Sequence, residues 1–241
     1  MITSNVAKPS TIAELNKIEI VKNKWLGNRW QGIQHGELVE TIHGALDRNK
    51  IKVLSEGWFP SGPDLTELDG HMELEIPNHP VMNGTSYCLG VQHSNSGEHA
   101  LKFAVGAKIF ICSNGMVSGD YAIKRKHTIG VDVPELINLG IDTFLERVVE
   151  VPKTIESLQT MGLGVTEVNR ALMTAGREGL MSWSRIGAVD AEYNKPTFAD
   201  HAGDTGWCLY NAFTFVLQKM APHYHIKGMN RFREIVLENV A

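Results

Sequence analysis

The chain has 241 residues, 43% of them hydrophobic and 21% charged, which is enough apolar material to bury a core without disulfide staples. A formal net charge of -4 excludes a polyanion packager coated with basic residues, so any nucleic-acid contact has to be local. Cys88, Cys112 and Cys208 are odd in number and form no CxxC pair, the N-terminus lacks the features of a signal peptide, and no apolar run approaches roughly 18 residues; these features predict a reduced, cytoplasmic protein with no membrane partner.

Thr11 and Glu14 have the spacing of a capping box and predict a short helix over Ile12 to Ile18. The next stretch, "HGELVETIHGALDRNK", repeats Leu38, Val39, Ile42, Ala45 and Leu46 at helical spacing. From Ile51 to Thr128 the period becomes two, with frequent Gly, Pro and Asn, the pattern of an antiparallel meander. About five strands are expected: "KIKVLSEGW", "GHMELEIP", "SYCLGVQH", "ALKFAVGAKIFIC" and "MVSGDYAIKRKHT".

In the fourth of these, Leu101, Phe103, Val105, Ala107, Ile109 and Ile111 alternate onto a core face. The opposite face sets Lys102 and Lys108 among small residues, flat enough to approach a ligand or another chain. Ser113, Asn114 and Gly115 supply a turn, because Asn-Gly tolerates the positive φ of a tight hairpin.

Beyond Thr128 the helical period returns. Asp132, Pro134 and Glu135 start a helix whose stripe is Leu136, Ile137, Ile141, Phe144, Leu145, Val148 and Val149, and Pro152 ends or kinks it. Another helical segment runs from Thr166 through Leu172, with breaks at Gly176 and Gly179. "WCLYNAFTFVL" is apolar nearly all round and predicts a buried helix, and "NRFREIVLENV" a last short one. The whole is an α+β chain: an antiparallel β-meander of about five strands over residues 51–128, flanked by an N-terminal helix pair and by C-terminal helices over 129–241, in one domain spanning 1–241.

The densest positive charge sits at the end of the fifth strand. Between Leu101 and Gly130, Lys102, Lys108, Lys124, Arg125 and Lys126 face only Asp120. Phosphates on a single strand of nucleic acid would suit this cluster, with His127 beside it and Phe110 or Tyr121 as stacking surfaces for bases. The alternative is a solvated edge strand whose lysines prevent aggregation. Lys227, Arg231 and Arg233 form a second basic stretch, either another phosphate contact or a loose tail.

Metal chemistry has two candidate locations. His93 and His99 flank a polar turn that His127 can approach, and His71, Glu73 and Glu75 share a strand face. Strand alternation alone accounts for the second group as a solvated face, and no HExxH or paired Cys/His spacing supports either. A Walker P-loop, a GxGxxG turn and a GxSxG elbow are all missing, so no catalytic residue and no cofactor is expected.

Four stretches together resemble a family of phage- and plasmid-encoded proteins, the phage/plasmid-like family, a domain of unknown function. They are "QHGELVETIHGAL" with His35, "VQHSNSGEHALKFAVGAKIFICSNGMV", "KRKHT" and "WCLYNAFTFVL", in that order. The resemblance implies a mobile-element origin and hence a host-cell cytoplasm. Combined with the basic hairpin and the missing ATPase motif, it leads to an expected single-stranded DNA binder and annealer working as a homo-oligomer in recombination or replication. A sheet followed by helices is also similar to the layout of ATP-independent strand-annealing proteins, an analogy of fold alone. The competing expectations are an inhibitor that binds a host defence protein through an exposed apolar or acidic patch, and a metal-dependent nuclease.

Overall fold

A computed structural model describes residues 8–22, 30–79, 85–98, 100–109, 115–117, 123–125, 132–220 and 224–238. Helices α1 (Ile12–Leu15) and α2 (His35–Arg48) precede strands β1 (Lys52–Ser61), β2 (Glu67–Glu75), β3 (Thr85–Ser94), β4 (Leu101–Ile109), β5 (Gly115–Val117) and β6 (Ile123–Arg125). Helices α3 (Val133–Val148), α4 (Val151–Thr160), α5 (Val165–Arg177), α6 (Trp183–Asn194), α7 (Gly206–Leu217) and α8 (His225–Glu238) follow. The α+β order is the one the periodicity predicts.

The capping box forms as expected. Thr11 Oγ1 accepts from the Glu14 amide at 3.3 Å, and the Thr11 amide donates to Glu14 Oε2 at 2.7 Å. The helix it opens is shorter than predicted, ending at Leu15. Gln34 caps α2 with its side-chain oxygen while its amide nitrogen donates to the Leu15 and Ile18 carbonyls, which ties the two helices together. All five stripe residues of α2, Leu38, Val39, Ile42, Ala45 and Leu46, are buried.

The sheet is antiparallel throughout, in the order β1-β2-β3-β4-β5, with β6 also paired to β4. The predicted fifth strand is therefore two short ones. Val117 pairs with Gly106 and Ile123 with Phe103, so the five positions 118–122 intervene opposite only two on β4. Gly115 pairs with Lys108 as the first residue of β5, and Ser113 and Asn114 of the expected turn lie outside the described residues.

One sheet face carries Leu68, Met72, Leu74, Leu89, Val91, Leu101 and Phe103 into the core. On the other face Asp69, His71, Glu73, Ser86, Cys88 and Ala104 are buried too, whereas Gln92 and Lys102 are half-buried and Glu75 is exposed. This corrects one expectation, a solvated face for His71 and Glu73; of the lysine-bearing face of β4, Lys102 is half-buried and Ala104 buried, and Phe110 and Cys112 lie outside the described residues. Alternation identifies which residues share a face, but what covers that face is decided by tertiary packing.

Asp132 caps α3 through the Glu135 amide. Val149 lies past the end of that helix and is exposed. Pro152 sits in the first turn of α4, where its missing N–H costs nothing, so it begins a helix where the sequence suggests an ending. Helix α5 runs through Gly176, and the break falls at Gly179, whose φ of 70° suits a residue without a side chain. Helix α7 is buried along nearly its whole length, and Phe213 stacks on Phe232 of α8 with ring centroids 3.9 Å apart. A continuous apolar cluster joins α1, α2, the sheet and the later helices, from Leu15 to Val236.

Candidate nucleic-acid interface

The basic edge is built from the register of the sheet. Phe59, Asp69, Gln92, Lys102 and Lys124 are successive direct cross-strand partners from β1 to β6, one row across five strands. Within it the Lys102 ammonium donates to Gln92 Oε1 at 3.2 Å, and Gln92 Nε2 donates to Asp69 Oδ1 at 2.8 Å. An amide thus links a half-buried cation to a buried carboxylate. The relay holds the Lys102 stem across the sheet and aligns it with the row.

The outer end of the row sets two lysines, Lys102 and Lys124, at directly opposed positions. Arg125 occupies the position opposite Leu101, and Lys108 the position between Ser86 on β3 and Gly115 on β5. Phe110, Tyr121, Lys126 and His127 lie outside the described residues. Register therefore brings Lys102 and Lys124 together, and puts Lys108 six residues further along β4.

In the second basic stretch Lys227 is exposed, and the two arginines are engaged within the fold. Arg231 is bidentate to Glu178, with both bonds at 2.7 Å, and also meets Glu234 and Glu238. These carboxylates raise the guanidinium pKa further and neutralise its charge locally. Arg233 is buried.

The carboxylate face of β2 serves structure. Glu73 accepts from Ser55 Oγ and Ser86 Oγ, each at 2.7 Å, while Glu75 is exposed and 3.6 Å from Lys52. His71 stacks on Phe59. No group of three His, Cys, Asp or Glu side chains among the described residues is arranged to hold a metal ion.

Of the three histidines His93, His99 and His127, the last two lie outside the described residues, and His93 sits at the end of β3. It packs edge to face on His35 of α2, and the two rings donate from Nε2 to backbone carbonyls, His35 to Leu65 at 3.1 Å and His93 to Ile33 at 3.0 Å. Burial keeps His35 neutral, with its pKa lowered to about 4. Around them Ser94, Asn95 and Ser96 are buried too, Asn95 donating to the Glu19 carbonyl. This knot of polar residues joins the N-terminal segment, α2 and the β3–β4 turn.

Sequence reasoning missed the contributions of Asp69 and Gln92. The period-2 signal was sufficient to place Asp69 with His71, but pairing Gln92 with both Asp69 and Lys102 required the registers of two hairpins. No family model, curated protein or solved structure matches the chain. Among the described residues no helix is long and apolar enough to cross a membrane.

Proposed function

We propose that the protein binds single-stranded nucleic acid along the β4–β6 edge and acts there by holding and annealing strands, as a homo-oligomer encoded by a mobile element. The observation that carries this reading is the register that sets Lys124 opposite Lys102, whose ammonium Gln92 links to Asp69. In this proposal Lys102, Lys108, Lys124, Arg125 and Lys126 contact phosphates, and Phe110 or Tyr121 stacks on bases. Annealing of this kind needs no covalent step, only a backbone neutralised while base edges stay accessible.

Fluorescence anisotropy with labelled single- and double-stranded DNA at two salt concentrations tests it. The expected result is salt-sensitive binding that favours single strands. A Lys102→Ala/Lys124→Ala double variant should bind more weakly and with a flatter salt slope, since each lost phosphate contact lowers the slope by about one. Absence of binding at low salt, or an unchanged slope in a folded double variant, would overturn the reading.

A second reading, inhibition of a host protein, is favoured by exposed apolar side chains on α5 and α6, above all Val165 at 79% and Trp183 at 55% exposure. A stoichiometric, nuclease-insensitive partner recovered by the wild type and lost with Trp183→Ser would place this reading first.

A further inference from the structure

Helices α5 and α6 pass each other so that Trp183, at the start of α6, covers Gly176 near the end of α5. Val165 and Asn169 of α5, Asp190 and Asn194 of α6 and the loop before α7 border a half-open cleft of about 380 Å³ at the other ends of the two helices. Its size falls in the range of small-molecule sites, roughly 300–1,000 Å³.

The lining separates into a floor and a rim. Leu163 and Val168 are buried apolar floor residues, and Tyr193 presents a half-buried ring. On the rim, Asp190 and Asp204 supply carboxylates, and no Lys, Arg or His lines the cleft. Asn194 spends its amide nitrogen on the Asp190 carbonyl at 2.8 Å and on Asp190 Oδ1 at 3.1 Å, which turns acceptors toward any ligand.

The N-terminus of α5 also borders the cleft, and a helix start by itself favours an anion. Here the Glu167 side chain folds back on Gly164, so that the chain's own carboxylate meets the positive end of the helix. With that position taken, the cleft as a whole is negative. Burial raises the Tyr193 pKa, and Cys208 and then Asp204 add to the effect.

We propose that this cleft binds a small organic cation, an amine, amidine or guanidinium carried on a compact apolar body. The apolar part rests on Leu163 and Val168 beside the Tyr193 ring, and the cationic group meets Asp190 and Asp204. Nucleotides and other phosphorylated ligands are excluded by the same carboxylates. The site is separate from the basic β4–β6 edge and does not rest on nucleic-acid binding.

Isothermal titration of the full chain with benzamidine, and in parallel with benzoate, which has the same ring and the opposite charge, tests the assignment without any nucleic acid present. The expected outcome is millimolar or tighter binding of benzamidine with at least tenfold preference over benzoate. Asp190→Asn/Asp204→Asn should lose that binding at least tenfold. Val165→Arg, a change at an exposed rim position that sets a fixed cation at the mouth, should weaken it while leaving the melting temperature unchanged. Equal binding of the two probes, no binding of either, or full benzamidine affinity in the folded Asp190→Asn/Asp204→Asn variant would overturn the proposal.

Discussion

His35 and His93 lie edge to face with ring centroids 5.0 Å apart, one from the first turn of α2 and the other from the end of β3. Each donates to a main-chain carbonyl, so the pair joins helix, sheet and loop at a position with almost no water. The consequence is a pH-dependent stability.

Burial lowers the His35 pKa from 6.5 to about 4, so the unfolded chain takes up the proton more readily than the folded one. Stability from this group is complete above pH 6.5 and falls as pH drops from 6.5 toward 4, by about 3 kcal/mol over the window. Urea unfolding of wild type and His35→Gln at pH 7 and pH 5 checks it. The variant's stability should change less between the two pH values, and parallel losses in both proteins would remove His35 as the cause.

The Trp58 indole occupies the space over Gly70, its direct partner on β2, where a Cβ would collide with the ring. Trp58 is buried, so it has nowhere to retreat. Gly70→Ala should destabilise by about 1–3 kcal/mol, the usual cost of overpacking, and shift the tryptophan emission. Thermal unfolding followed by fluorescence measures both effects.

Glu73 is buried between two serine hydroxyls that donate to it. Glu73→Ala strands those hydroxyls and should cost about 2–4 kcal/mol, whereas Glu73→Gln keeps the volume and an acceptor and should cost less. Denaturant titrations of the two variants decide it. A larger loss in the glutamine variant would mean that the charge matters more than the hydrogen bonds.

Arg231 is partly exposed, and its pairs are worth the modest amount that solvent screening leaves them. Arg231→Ala should therefore cost about 1 kcal/mol and leave DNA affinity and its salt slope unchanged. A flattened slope would return the C-terminal basic stretch to the interface.

The stripes of α2 and α3, the capping box and the alternation of β1 to β4 were legible because each depends on residues a few positions apart, where covalent geometry sets the neighbours. The two-strand ending of the meander was not, since β5 and β6 are short and owe their places to β4. Of the candidate interface, the sequence identified the lysines, and register alone paired Lys102 with Lys124.

Composition and period by themselves determined the α+β order and the burial of α7. Tertiary structure decided the rest: that Glu73 and His71 are buried, that Arg231 is neutralised by Glu178, that His35 meets His93, and that Gln92 couples Lys102 to Asp69. The reason is physical. A side chain's face follows from the bonds of its own strand or helix, but its solvent, its charge partners and its proton affinity follow from segments that only packing brings near.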